Sequence, residues 1–481
     1  MSAPVPFPSP PQPRWRAVDV PDGVIDRLGG ICEVVTGSLE EAGRDWWPLA
    51  LTWARDAVVP ALPAAVVRPS SAGDVAAVLR VCGEAAVPVT VAGGRSGVCG
   101  GAVPAFGGIA LDMTALSGVT DVDDVSLRVS VLPGTFGDAL EAALRGHGLT
   151  LGHWPQSIEL STVGGWLACR SAGQYSTRYG KVEDMAAGLE VVLADGSVVR
   201  TGGSAPRAAA GPDLTQLFVG SEGTLGVITA AVLRAHPAPL IERRAAFAFA
   251  TFADGLDACR RILRRGGRPA VLRLYDDAES GRSFDVAANV LIVLDEGDAP
   301  IVDATMAIVE AECAGAGALD AALVGTWLAH RNDTSALGAL VAHGILVDTV
   351  EVAGPWAALP RLYHDGIAAL RATDGVIAAT AHQSHAYTDG ACLYFTWAAR
   401  PQDDGLYVRA WDAVIGATLA HGGAVSHHHG IGINRGRFMA QALGPGAFSV
   451  LEALKAALDP RGVLNPGKLG LPSPFGPPPW P

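Results

Sequence analysis

The sequence is poor in charge. Of 481 residues only 17% are Asp, Glu, Lys or Arg, and 35 basic side chains face 48 acidic ones, a formal balance of −13. That leaves no basic footprint, so nucleic acid is not expected as a partner. Cysteine is sparse and scattered, seven residues with no C-x-x-C pair. Neither a disulfide framework nor a zinc knuckle is indicated, and a reduced, cytoplasmic setting is the expectation. No run of 18 uninterrupted apolar residues occurs, so no membrane-spanning helix is expected. The opening MSAPVPFPSPPQPRWR lacks the basic and apolar regions of a signal peptide. Two nucleotide fingerprints are missing as well: no G-x-G-x-x-G follows a first strand, and no G-x-x-x-x-G-K-[ST] occurs. A nicotinamide Rossmann site and a P-loop are therefore disfavoured.

What the chain has in excess is glycine. Its 59 glycines and 33 prolines make up about a fifth of the residues, against about 12% in average usage. Hydrophobic residues at 49% supply ample core, and the length, roughly three times that of a typical domain, implies two or more domains. Strand-like Ala65 to Pro69, a helix from Ser71 to Glu84 and a strand from Val87 to Ala92 open an α+β pattern. Further strands are expected at 109–112 and 126–131, and the pattern continues to about 236. An apolar run from Val286 to Leu294, ended by Asp295-Glu296-Gly297, reads as a buried strand. The closing PSPFGPPPWP reads as a proline-rich tail without structure of its own. Glycine-rich segments at both ends flank a plainer middle. The organisation expected is a lead-in over 1–59, a ligand-binding domain over 60–236, an inserted α+β cap over 237–420, and a segment over 421–481 returning to the ligand.

Three glycine clusters stand between strand-like segments: 93–101, Thr162-Val-Gly-Gly-Trp166 and Gly220-Ser-Glu-Gly-Thr-Leu-Gly226. Such loops let backbone N–H groups converge on phosphate oxygens with no side chain in the way. A single cluster is an ordinary tight turn. Three with interleaved hydroxyls indicate a pyrophosphate-containing ligand.

Val87-Pro-Val-Thr-Val-Ala-Gly-Gly-Arg-Ser-Gly97, Gly220 to Thr229 and Asp459-Pro-Arg-Gly-Val-Leu-Asn-Pro-Gly-Lys468 resemble the FAD loops and C-terminal signature of the vanillyl-alcohol-oxidase-type (PCMH-type) family. Gly152 to Trp166, Tyr179-Gly-Lys-Val-Glu-Asp184, Asp389 to Phe395 and Gly422 to Gly430 resemble, within that family, the alkyl-dihydroxyacetone-phosphate synthases. The resemblance implies noncovalent FAD, held by Val91, Ala92, Gly93, Gly94, Arg95, Ser96 and Gly97, by Gln156, Ser157, Ser161 and Thr162, by Cys169, Arg170, Ser171 and Ala172, and by Gly220, Ser221, Glu222, Gly223, Thr224, Leu225 and Gly226. It implies exchange of the acyl group of acyl-dihydroxyacetone phosphate for a fatty alcohol, with flavin N5 as nucleophile and no net redox turnover. The alternative is an FAD-linked oxidoreductase of a 2-hydroxy acid or alcohol. A third reading is a flavin-binding protein without catalysis. A small or lipid-like, phosphate-bearing substrate, peripheral membrane contact and a homodimer complete the expectation.

The same resemblance places an acid/base tyrosine at Tyr394 and an essential triplet at His427, His428 and His429. Adjacent residues cannot all face one way in a strand or helix, and as metal ligands they converge poorly, so no metal is expected. Imidazoles near neutral pKa can shuttle protons. Arg273, a charge in the apolar Val271 to Tyr275, needs an anion or a carboxylate such as Asp276 or Asp277; the resemblance, which implies an essential catalytic arginine in a similar string, favours binding of a substrate anion. The resemblance also implies a substrate-binding arginine, matched by Arg331, and His153 is expected to contact substrate. Trp154 and Gln156 stand where the family pattern carries an acid.

Overall fold

The computed structural model describes residues 5–203 and 205–480. Three main sheets carry the chain. The first has four strands in the order Glu33–Val35, Ala65–Arg68, Ile109–Asp112, Val89–Ala92, the last three parallel. Parallel neighbours need a crossover, supplied here by the helix Ala72–Glu84, whose N-cap Ser71 accepts the Asp74 N–H. The second sheet is antiparallel, in the order Val198–Gly202, Ala186–Val192, Val227–Arg234, Arg128–Val131, Val119–Asp123. Leu127 adopts a positive φ, so that hairpin strand starts at Arg128 rather than at Ser126.

The third sheet takes all seven strands from residues 241–399, in the order Gly317–Leu319, Ile241–Phe249, Asn289–Gly297, Val271–Tyr275, Val376–Ala386, Gly390–Ala399, Leu346–Pro355, every pair antiparallel. Strand alternation splits its residues. Leu272, Leu274, Ala381, Leu393 and Phe395 enter a core shared with the helices Phe252–Arg264, Leu359–Ala372 and Asp404–Ala420. Arg273, Tyr275, His382 and Tyr394 point the other way, into a cavity. The C-terminal segment then pairs along Val89: the Val89 N–H donates to Val463 O at 2.8 Å, and the Asn465 N–H to Val89 O at 2.7 Å.

Two further sequence expectations change. The strand read from Val286 begins at Asn289, because Asp285 caps the preceding helix in the left-handed region at φ 56°. It runs through the acidic pair, since Asp295 and Glu296 are paired inside it with Arg178 at 2.9 Å and the Tyr179 hydroxyl at 2.8 Å. The proline-rich tail is docked as well: Phe475 packs on Phe106 and the Trp480 ring stacks on Trp47 at 5.8 Å. Among the described residues no helix is long and apolar enough to cross a membrane.

Candidate active site

A cavity of about 1040 Å³ lies between the glycine-rich loops and the exposed face of the seven-stranded sheet. Its loop end is built by close approach. A Cβ on Gly93 would meet Thr162 Oγ1, and one on Gly94 would meet the Leu160 carbonyl, so these positions admit only glycine. Val91 to Gly97, Gln156, Ser157, Ser161, Thr162, Cys169, Ser171, Ala172, Ser221, Glu222, Gly223 and Gly226 line the cavity. Arg170, Gly220, Thr224 and Leu225 stand behind that lining. The Arg170 side chain folds against Gly220 towards Glu183, the Thr224 hydroxyl donates to Ser221 O at 2.7 Å, and Leu225 is in the core. Glu222 holds two parts together: its carboxylate accepts the Ile431 and Gly432 N–H groups, the latter at 2.8 Å. Burial raises its pKa against those donors.

At the sheet end, four residues stand in one cross-strand row: Tyr275 faces His382, His382 faces Tyr394, and Tyr394 faces Glu351. The loop after Val425 crosses this row. The Tyr394 hydroxyl sits 2.7 Å from His428 Nε2 and 2.8 Å from His429 Nε2. It can donate to one ring nitrogen and accept from the other. Glu351 fixes the loop, accepting the Ser426 hydroxyl at 2.8 Å, the His429 N–H at 2.9 Å and the His427 N–H, while Arg435 pairs with it at 2.9 Å. Burial would raise the Glu351 pKa, but Arg435, ahead of His429, holds it below the ordinary carboxylate value. Burial holds His427 and His428 well below the ordinary imidazole pKa and His429 at about 4, and pushes Tyr394 well above 10. A protonated phenol is thus bracketed by two neutral imidazoles.

His428 and His429 line the cavity. His427 lies behind them, its Nδ1 2.8 Å from His428 Nδ1 and its ring stacked on His385 and Tyr387. Cys392, His427 and His428 gather within 4.8 Å. Both His428 nitrogens are already engaged, which leaves too few free donors for a metal. Arg273 and Arg331 line the cavity, Arg331 donating to Gln174 Oε1 at 3.0 Å. His153 does not reach it: fully buried, it packs on Trp166 and bonds Ser171 Oγ at 2.8 Å. Trp154 packs near Tyr175, and Gln156 is on the cavity wall. Asp276 caps a helix through the Glu279 N–H, so it is no partner of Arg273. Sequence reasoning missed Glu351, His382, Glu279 and Arg435. Glu351 shares its strand with Asp348 and Thr349, and His382 shares its strand with Thr380, Gln383, Ser384 and His385, so neither stands out as Arg273 does among Val271, Leu272, Leu274 and Tyr275.

Residues 63–202 match the FAD binding domain family, and residues 239–469 match the C-terminal domain of FAD linked oxidases. The FAD-linked oxidoreductase YgcU of Escherichia coli (strain K12) is 32% identical over 432 residues, 85% of this chain and 89% of that protein. The chain belongs to the FAD-linked oxidases. Alkyldihydroxyacetonephosphate synthase of Dictyostelium discoideum is 31% identical over 449 residues, covering 85% of this chain and 73% of that one. The glycolate oxidase subunit GlcD of Bacillus subtilis is 30% identical over 425 residues, covering 85% and 89%. A solved alkyldihydroxyacetonephosphate synthase superposes with a TM-score of 0.79 at 25% identity, over 97% of this chain and 89% of that chain. p-Cresol methylhydroxylase, at 18% identity and a TM-score of 0.77, covering 95% and 98%, shares the PCMH-type fold. FAD is the cofactor of this FAD-linked oxidase, and its side-chain-free loop cradle beside a row of protonatable groups fits a flavin dinucleotide.

Proposed function

We propose that this FAD-linked oxidase is an alkyldihydroxyacetonephosphate synthase-like transferase. It exchanges the acyl group of an acyl-dihydroxyacetone phosphate for a fatty alcohol. The observation that carries the reading is the Tyr394 hydroxyl, held between two neutral imidazoles in the cavity that also presents Arg273. Leu340, Val347, Ala378 and Ala398 supply an apolar part of the same cavity's wall, suited to an aliphatic chain. Bound FAD supplies the centre that accepts the substrate carbon. The glycine-rich loop, Thr162 and Ser221 to Gly223 would hold it; the thiols of Cys99 and Cys169 are buried, and burial pushes their pKa values up, which disfavours a thiolate attachment.

The exchange is redox-neutral. The carbon–oxygen bond to the acyl group breaks and leaves as carboxylate, a carbon–oxygen bond to the alcohol forms, and the alcohol proton must be taken up. His428 or His429 takes that proton through the Tyr394 hydroxyl, which keeps its own protonation state by passing one proton as it receives another. The second reading, an oxidoreductase of a 2-hydroxy acid, is favoured by the relatives named FAD-linked oxidoreductase and glycolate oxidase subunit.

Incubation of the FAD-loaded protein with palmitoyl-dihydroxyacetone phosphate and hexadecanol should release palmitate and yield the ether by mass spectrometry, with the flavin spectrum oxidised before and after. Anaerobic bleaching of the flavin by a 2-hydroxy acid, with no ether formed, overturns the transferase reading.

A further inference from the structure

The strand Val376–Ala386 lines the cavity with alternate residues, Ala378, Thr380 and His382, and then with His385 in place of Ser384. Ser384 pairs with Cys392 and Ala386 with Ala391, which leaves His385 as the extra residue of a bulge. Its backbone is in the left-handed region at φ 51°, a strained conformation for a residue other than glycine. A bulge re-aims a side chain, and here it turns an imidazole towards the cavity. The Ala386 N–H donates to Thr177 Oγ1 at 3.1 Å and so ties the bulge in place. The His385 ring packs on His428 and His427, with centroids 4.6 and 5.2 Å apart.

Two further side chains set its tautomer. Ser176 Oγ lies 2.8 Å from His385 Nδ1, and the Tyr387 hydroxyl lies 3.2 Å from the same Oγ. Burial pushes the Tyr387 pKa up, so the phenol keeps its proton. Among the described residues Ser176 Oγ is the acceptor for that proton. Turning the Ser176 proton towards Tyr387 instead would strand the phenol's. Ser176 therefore gives its single proton to His385 Nδ1. Burial, ahead of the charge on Arg273, holds the His385 pKa well below the ordinary imidazole value, so its one ring proton is on Nε2. Among the described residues Nε2 has no protein partner, whereas Nδ1 is engaged.

We propose that His385 is an Nε2–H donor to a ketone oxygen of the substrate, and that Ser176 and Tyr387 are positioning residues that fix its tautomer. A neutral donor suits an uncharged carbonyl, whose oxygen accepts more strongly as charge develops on it. The 2-oxo group is common to dihydroxyacetone phosphates and 2-oxo acids. The inference rests on the reading of this cavity as the substrate site, under either reaction.

Two measurements test this on the FAD-loaded protein. Heteronuclear NMR of the imidazole nitrogens separates the two neutral tautomers. His385, assigned by the signals lost in His385→Phe, should be the Nε2–H form. An Nδ1–H form, or an imidazolium at neutral pH, overturns the donor whatever binds. Ser176→Ala should let the other tautomer appear; an unchanged spectrum removes Ser176 from the proposal.

Titration calorimetry then compares dihydroxyacetone phosphate with 3-hydroxypropyl phosphate, and pyruvate with propionate. The second member of each pair lacks only the 2-oxo oxygen. Flavin content and melting temperature report folding. Wild type should favour the ketone of at least one pair by about fivefold. His385→Phe should reduce that preference to about twofold or less, and His385→Gln, whose amide N–H donates, should restore most of it. A merely structural role would weaken both members of a pair equally. That outcome, an undiminished preference in His385→Phe, or no preference in wild type overturns the donor. A preference in the pyruvate pair alone supports the donor and counts against the transferase, so the two readings fail separately.

Discussion

Glu351 stands directly opposite Tyr394 across the strand pair Leu346–Pro355 and Gly390–Ala399, and its carboxylate, fully buried, binds the loop whose histidines hold the Tyr394 hydroxyl. The same carboxylate is the ion-pair partner of Arg435, which is equally buried. One side chain thus shapes the loop and neutralises a charge that could not otherwise stay inside. Removing one member of such a pair leaves an uncompensated buried ion and costs about 3–5 kcal/mol. Glu351→Gln should therefore lower the unfolding free energy by about that amount, read as a fall in the denaturant midpoint. A variant as stable as wild type would show that the pair contributes little.

Gly94 makes a second prediction. Its backbone is in an ordinary conformation, so the constraint is contact alone: a methyl group would meet the Leu160 carbonyl and press on the Phe136 ring. Overpacking of this kind costs about 1–3 kcal/mol, and the strain falls on the loop that lines the cofactor cavity. Gly94→Ala should lose most of its flavin, seen in the ratio of visible to ultraviolet absorbance. Gly37→Ala, where nothing lies within 4 Å, should retain it.

The glycine loops and the cofactor are legible in the sequence because backbone approach leaves its trace in residue type at fixed positions. Tyr394 and the histidine run are legible through the segments Asp389 to Phe395 and Gly422 to Gly430, which carry the family resemblance. Glu351 and His382 are not, since each shares its strand with other polar residues, Asp348 and Thr349 in one case and Thr380, Gln383, Ser384 and His385 in the other. Their importance comes from the row Tyr275–His382–Tyr394–Glu351, which exists only once four strands from distant parts of the chain pair in register. His153 goes the other way. A histidine in a family-like string reads as a ligand, but the ring packs behind Trp166. The tail misleads for a related reason: its composition argues against intrinsic structure, whereas Phe475 and Trp480 dock on rings contributed by other segments.

The docked tail gives a third prediction. Trp480 stacks on Trp47 at an interplanar angle of 24°, with the Arg437 guanidinium carbon 4.5 Å from its ring. Trp47 in turn donates its indole N–H to the Tyr407 hydroxyl at 2.9 Å. Loss of one such stacked ring costs about 1–2 kcal/mol. Trp480→Ala should lower the unfolding midpoint accordingly and Trp480→Phe should recover most of it. Equal stability of both with wild type would mean the tail does not dock.

His153 separates its own titration from everything else in the protein. Burial, ahead of the charge on Lys181, lowers its pKa from 6.5 to about 3. Between those values the unfolded chain binds a proton that the folded protein refuses. The stabilisation is therefore complete above pH 6.5 and is lost as pH falls towards about 3, with a slope of up to about 1.4 kcal/mol per pH unit. Asp45 acts in the opposite sense: burial raises its pKa from 3.8 to about 7, so its contribution is lost as pH rises through that range. The wild-type curve alone mixes the two, but the difference between wild type and His153→Gln isolates the histidine, because glutamine can still bond Ser171 and does not titrate. Denaturant unfolding at pH 7, 6 and 5 should show wild type losing stability relative to His153→Gln on acidification. Parallel curves would mean that His153 titrates in the folded protein as it does in the unfolded chain.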